Sequence, residues 1–289
     1  MGQSSRQRVQ VMFVLLLSGL SLACTSPPTV QSVLANANKT MGSITAIHYT
    51  GKGWNGNYGQ AVQAGQAWPR RDVTYTRSIN YDQKSSGETW QFAEAVIGGQ
   101  TQSLAVNGDK AWNETETGIT PQPATVEVRQ LAIWMTPHGF LKAAAAAKDA
   151  VLTLSGGQTI TFTPFVAPNK YKFTGKFDAA HLLTSVETKI ADPVLGDTPL
   201  IARYSEYKDF QGVQFPRRII IDQGGSTIAD LHIDNVEPDA RVYIAIPEAV
   251  SNAPTPKVVA ESTELADGVW LITGGIYHSL LVEFKDFCT

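Results

Sequence analysis

From Ile44 onward, apolar residues recur at every second position in runs broken by short polar turns. That period puts alternate side chains on opposite faces of a strand and predicts half-buried β-structure. Stretches 44–51, 72–81, 88–96 and 101–106 follow it, separated by the polar segment 82–87, by Gly98-Gly99 and by Asn107-Gly108-Asp109. Asn-Gly tolerates the positive φ of a two-residue hairpin turn, so a return strand carrying Trp112 is expected after it. Ahead of these strands, Val30–Met41 has helical spacing instead. Val30, Val33, Leu34 and Met41 share one face, and Thr29 stands where a cap is needed.

The strand pattern is interrupted once. Pro123 and Thr125 open a helix with Glu127 in its first turn, and Val128, Leu131, Ala132 and Met135 form its expected buried stripe. Pro137 ends it. A second helix is expected over 139–147, whose alanine run 143–147 combines high helix propensity with room for close packing. Strands resume at Ala150, with candidates at 159–163, 171–173, 182–190, 201–207, 213–221 and 227–233. Asp209-Phe210-Gln211-Gly212 and Gly224-Gly225 turn the chain between them. Successive hairpins of this kind predict a mainly β (α+β) fold, a curved antiparallel sheet or half-barrel with a few helices. Residues 249–257, with Pro254 and Pro256, read as a linker. Beyond it, 268–272 and 279–284 form a strand pair around Gly274-Gly275. Two strands do not make a stable domain alone.

Composition and the N-terminus narrow the function. Arg6 and Arg8 precede the apolar run 11–17, which is too short to cross a bilayer and reads as an export signal. Leu20-Ser21-Leu22-Ala23-Cys24 is similar to a lipobox, with the small Ala23 before the cut and the Cys24 thiol taking the lipid. Ser21 stands where leucine is usual. An ordinary secretory peptide with Cys24 incidental is the alternative. Thr25 is not the aspartate that a resemblance to enterobacterial lipoproteins associates with inner-membrane retention, so the outer membrane is favoured. The expected location is the cell envelope, facing the periplasm and held to a membrane by the lipid. The boundaries expected are a lipoprotein signal peptide over 1–24, a β-rich domain over 25–248, a linker over 249–261, and the start of a further domain over 262–289.

With Cys24 acylated, Cys288 is the one remaining cysteine of two, so no internal disulfide can form and the fold must rest on its core. Removing Arg6 and Arg8 leaves 21 basic against 26 acidic residues, a net charge of −5, with no basic patch to favour nucleic acid. The five histidines, His48, His138, His181, His232 and His278, are scattered without metal-ligand spacing. Glu114 and Glu116 alternate along a strand and read as a solvated face, not an acid–base pair. The Gly- and aromatic-rich tract 51–59 reads as a surface loop with an aromatic anchor, or as a lip over an apolar ligand. Ser155-Gly156-Gly157 and Gly224-Gly225-Ser226 lack the nucleophile-elbow pattern and read as turns.

The segments Asp267-Gly268-Val269-Trp270-Leu271-Ile272-Thr273 and His278-Ser279-Leu280-Leu281-Val282-Glu283-Phe284-Lys285-Asp286 resemble the opening hairpin of a metallo-β-lactamase-fold hydrolase. Thr136-Pro137-His138-Gly139-Phe140-Leu141 and the stretch from Gly196 to Gly225 resemble an exported group of that family. In that group a β-rich domain precedes the hydrolase. The β-rich domain is also similar in pattern to periplasmic lipoprotein carriers, whose half-barrels hold acyl chains. The family's His-x-His-x-Asp-His zinc loop has no counterpart here. The resemblance therefore implies a chain truncated just inside the hydrolase domain and inactive by itself. No catalytic or metal residue is assigned, no cofactor is expected in this chain, and zinc belongs to full-length relatives alone. Two functions follow. One is a non-catalytic front part of an exported metallo-hydrolase. The alternative is a stand-alone envelope lipoprotein binding an apolar small molecule or lipid in its half-barrel.

Overall fold

The computed structural model describes residues 27–56, 63, 66, 68–94, 100–166, 171–192, 195–254, 259–274 and 278–286. The lipobox with Cys24, and Cys288, lie outside them. Helix α1 (Val30–Met41) comes first. Thr29 Oγ1 accepts the Ser32 N–H at 3.1 Å, and Ser32 Oγ accepts the Thr29 N–H at 2.8 Å. This reciprocal box satisfies donors that the first helical turn would leave unpaired. The apolar stripe of α1 is buried at Val33, Leu34, Ala37 and Met41.

Six strands then meander: β1 (Ala46–Gly56), β2 (Arg70–Asn80), β3 (Ser85–Phe92), β4 (Thr101–Asn107), β5 (Lys110–Thr115) and β6 (Gly118–Pro121). A 3-10 turn (Pro123–Thr125) leads into α2 (Val126–Met135), and α3 (Pro137–Ala146) follows at a corner made by Thr136. Seven more strands complete the sheet: β7 (Val151–Thr153), β8 (Gln158–Phe162), β9 (Phe173–Phe177), β10 (Leu183–Asp192), β11 (Gly196–Phe210), β12 (Val213–Gln223) and β13 (Ser226–Pro238). Their spatial order is β6-β5-β4-β3-β2-β1-β13-β12-β11-β10-β9-β8-β7. Every pairing is antiparallel, and β1 lies beside β13. Two meanders are thus joined at their inner strands into one 13-stranded sheet whose outer edges, β6 and β7, do not pair with each other. The fold is the expected mainly β, open curved sheet with few helices.

Two sequence details shape the sheet. At Gly51 an added Cβ would lie 2.2 Å from the His232 carbonyl oxygen, and at Gly53 2.0 Å from that of Asp230. Only a residue without a side chain lets β1 press this closely on β13, and a bulge between Thr50 and Gly51 bends the strand at the same point. Hairpin turns Gln211-Gly212 and Gly224-Gly225 each supply two consecutive positive φ values, as a two-residue turn matched to strand twist requires. The expected Asn107-Gly108 turn is shifted by one residue. Asn107 pairs with Lys110, so the loop is Gly108-Asp109, and Gly108 takes the positive φ.

Beyond β13 the chain crosses the outer face of the sheet. Asp239 Oδ1 accepts the Thr45 N–H at 2.7 Å, Asn80 Nδ2 donates to the Val242 carbonyl at 3.1 Å, and Asn107 Nδ2 to that of Ile244 at 2.8 Å. A short helix, α4 (Glu248–Ser251), then sets Val250 against Ala105 and Trp112. The beginning of the stretch read as a linker is therefore packed, because Val250 fills an apolar spot that Trp112 creates. A separate three-stranded sheet follows, β14 (Glu261–Ala266), β15 (Val269–Thr273) and β16 (Ser279–Val282), in that order. The sequence pattern showed β15 and β16. It missed β14, whose residues are exposed throughout and carry no alternation, and likewise the short edge strand β6, where no side chain is fully buried.

Candidate functional site

The helical interlude sits over the concave face. Helix α2 touches β3, β4 and β5 on one arm of the sheet and β10 on the other, so it bridges the open side. Near its start, Gln130 Nε2 donates to the carbonyls of Lys84 (2.8 Å) and Gly108 (2.9 Å), which lie in two hairpin turns. Arg129 donates to the carbonyls of Ala105 (2.9 Å) and Trp112 (2.6 Å) and to the side-chain oxygen of Asn113. At the other end, Tyr204 donates its hydroxyl to the Met135 carbonyl at 2.6 Å. Thr136 Oγ1 donates to the Ile133 carbonyl at 2.6 Å and in turn accepts the Tyr81 hydroxyl at 3.0 Å.

Between α2 and the sheet lies a cavity of about 230 Å³. The helix contributes Val128, Ala132 and Met135, three of the four residues of the stripe predicted from spacing. That stripe faces a void, whereas Leu131, Ile133 and Trp134 supply the helix's packed contacts. The sheet contributes aliphatic residues from the second meander: Ile190, Leu200, Ala202, Ile219, Ile221, Ile228 and Leu231. The first meander contributes Tyr49, Tyr75 and Trp90. It also contributes the two charged residues among the lining side chains, Arg77 and Glu88.

Arg77 and Glu88 stand directly opposite each other on β2 and β3. Their side chains are 11% and 21% exposed, and Nε lies 3.7 Å from Oε2. Tyr75 donates its hydroxyl to the same Glu88 oxygen at 2.7 Å, and Arg77 Nε donates to Ser86 Oγ at 3.1 Å. The Tyr75 and Trp90 rings pack at 4.5 Å, and Tyr49 meets Phe215 at 5.0 Å. Burial, aided by the Glu88 charge, holds the Tyr75 phenol well above its usual pKa, and burial raises that of Tyr49 as well. Both are therefore neutral hydrogen-bonding groups. Burial opposes the Arg77 charge, but the Tyr49 hydroxyl as a hydrogen-bond partner and the Glu88 carboxylate outweigh it and hold the guanidinium protonated. A smaller recess of about 20 Å³ opens between Arg77, Glu88, Ala132 and Arg129, next to the main cavity. Burial lowers the pKa of Arg129, with Glu88 pulling the other way. This arrangement gives a mainly apolar chamber with one polar wall. A wider depression of about 600 Å³, lined by Trp54, Asp72, Thr74 and Gln91 among others, opens at the far ends of β1–β3 and carries no buried charge.

The residues weighed from sequence lie elsewhere. His138 is buried under the sheet. Its Nε2–H donates to the Met41 carbonyl at 3.2 Å, its ring stacks on Phe215, and its Nδ1 has no protein partner. Burial lowers its pKa to about 4. His48 meets Ser78 at 2.9 Å, His232 lies 4.0 Å from Asp230, and His278 is exposed. No group of three or more His, Cys, Asp or Glu side chains is placed to hold a metal among the described residues. Glu114 and Glu116 are exposed, and Glu116 accepts the Gln100 N–H. Gly51–Gly56 belong to β1 rather than to a loop, and the rest of that tract lies outside the described residues. The polar wall of Tyr49, Tyr75, Arg77 and Glu88 was not picked out from sequence, yet it left a signal. In the inward register Val73-Tyr75-Arg77-Ile79 and its partner Ser86-Glu88-Trp90-Phe92, two opposite charges interrupt apolar positions at the same cross-strand pair.

No protein-family model matches the chain, and no curated protein matches it. Solved structures similar to it include a LolA-superfamily protein from Nitrosomonas europaea, at 12% identity and a TM-score of 0.45, with 78% of this chain and 97% of that one covered. A DUF1329-family protein from Desulfovibrio piger matches at 9% identity and a TM-score of 0.46, with 74% and 95% covered. A conserved protein from Thermus thermophilus matches at 11% identity and a TM-score of 0.27, with 78% and 93% covered. The expected resemblance to metallo-β-lactamase hydrolases, and the reading of the chain as the front of such an enzyme, finds no support in these comparisons. In the structure, the proposed opening hairpin, β15–β16, is joined by β14 into a three-stranded sheet.

Proposed function

We propose that this protein is an envelope lipoprotein that binds an apolar small molecule or lipid inside its half-barrel. The observation that carries this reading is the chamber under α2. Its walls are mainly aliphatic and aromatic, with Arg77 and Glu88 on one side. The part of the wall built from leucine, isoleucine and methionine offers water no hydrogen bonds. It gains dispersion contacts and apolar burial from a hydrocarbon. The alternative function read from sequence is therefore preferred to the metallo-hydrolase part. The lipid on Cys24 would hold the protein at a membrane facing the periplasm, with the outer membrane favoured by Thr25.

The test is titration of residues 25–289, the mature chain without its lipid-bearing Cys24, with a solvatochromic dye such as N-phenylnaphthylamine. One saturable site per chain, from which long-chain compounds displace the dye, is the expected result. Absence of saturable binding would remove the proposal. Labelling with a radioactive fatty acid in cells, compared with Cys24→Ser, tests the anchor. Label retained by the variant would refute lipidation at Cys24.

A further inference from the structure

We infer that the chamber takes a single-chain amphiphile carrying one carboxylate, a long-chain fatty acid by chemical class, with its carboxylate at Arg77 and Arg129. The inference rests on the apolar-ligand reading above and deepens it. Its first basis is charge. Across the cavity and the adjoining recess the charged lining side chains are Arg77, Arg129 and Glu88, two guanidiniums against one carboxylate. Glu88 already serves Arg77 and the Tyr75 hydroxyl. Arg129 directs its hydrogen bonds to two backbone carbonyls and an amide oxygen, none of which carries a charge. One positive charge is thus in excess at the end of an apolar chamber, where a low dielectric makes an uncompensated charge costly and an added anion correspondingly favourable.

Size is the second basis. A chamber of about 230 Å³ lies below the range of roughly 300–1,000 Å³ usual for drug-sized ligands, so it holds part of one chain, whose end lies in the open mouth, and not the two chains of a diacyl lipid. The recess between the arginines, about 20 Å³, holds little more than one water-sized group. A carboxylate oxygen fits there, whereas a phosphate carrying a further headgroup does not. Shape is the third basis. Asn55 and Gln223 line the end of the chamber away from Tyr49, and Asn55 is six residues further along β1. At about 3.3 Å per residue that places the two ends some ~20 Å apart, so a chain can lie along the strand between a polar head site and a distant mouth.

Binding of dibromostearate and of its methyl ester to residues 25–289, read by quenching of Trp90 with Trp90→Phe as the control, tests this at neutral pH. The acid is expected to bind at least about tenfold more tightly than the ester, as a hydrogen-bonded charge pair would provide. Arg129→Met and Arg77→Met should abolish that preference, so that acid and ester bind alike, a pattern that loss of folding, which would remove binding of both, would not give. Glu88→Gln, which raises the excess charge, should increase the preference. Equal binding of acid and ester would overturn the carboxylate assignment and leave the apolar-ligand reading standing. Failure of both to bind would overturn both. Tighter binding of a single-chain phosphate monoester than of the carboxylate would move the head group from carboxylate to phosphate and refute the inference as stated.

Discussion

One curved sheet carries two differently filled halves. Under α3, Phe140 meets Phe162 at 5.2 Å and Phe177 at 6.0 Å, and Phe162 meets Phe173 at 5.8 Å, so β8 and β9 are packed solid against the helix. Under α2, the side chains aimed at the sheet are Val128, Ala132 and Met135, none of them aromatic, and the facing strands leave a chamber. The helices are equally long and share one corner at Thr136. What differs is side-chain volume at the contact: α3 drives a phenylalanine ring into the sheet, and Gly175 on β9 makes the room for it. A Cβ at that glycine would lie 2.2 Å from the ring. The lesson is that one sheet can be filled under one helix and hollow under the next through side-chain volumes on both sides of the contact.

The contrast can be broken hardest in the filled half. Phe140→Ala should destabilise the protein by about 3–5 kcal/mol, through lost transfer energy plus the void left behind, as measured by urea unfolding. Next comes pH. His138 is neutral when buried, with its pKa lowered to about 4 from an ordinary value near 6.5. The unfolded chain therefore binds more protons between those values. The stabilisation is fully present above about pH 6.5 and is lost as pH falls toward 4, a change of about 3 kcal/mol. Unfolding curves across that window should show the slope, and His138→Leu should flatten it. Gly175→Ala should cost about 1–3 kcal/mol by forcing the Phe140 ring aside, and Phe140→Leu in the same chain should recover part of it. The smallest effect belongs to the hollow half. Ala132→Phe adds bulk where space exists and should change stability by less than about 1 kcal/mol, whereas a similar enlargement in the packed half would not be tolerated.

Much of this was legible in the residues. Period-two alternation gave the meanders, Thr29 gave the start of α1, and Pro123 and Pro137 bounded α2. The identity of the lining also lay in the pattern, since Val128, Ala132 and Met135 were singled out as one face. Periodicity cannot say whether such a face meets packed side chains or space, because that depends on the volumes facing it across the sheet. Arg77 and Glu88 escaped for a related reason. Their pairing depends on the β2–β3 register, and the turn between those strands is tighter than the polar stretch 82–87 suggests, closing with Asn80 opposite Ser85. Of the C-terminal strands, β15 and β16 were seen and the fully exposed β14 was not. The metallo-hydrolase identity attached to them rested on short motifs, which the comparisons do not support.

Dye binding to wild type, Ala132→Phe and Phe140→Leu in parallel tests the central claim most directly. If the chamber under α2 is the ligand site, Ala132→Phe should lose saturable binding while keeping its folding stability, and Phe140→Leu should still bind although it is less stable. Binding that survives Ala132→Phe with unchanged affinity and stoichiometry would place the ligand elsewhere and contradict the account.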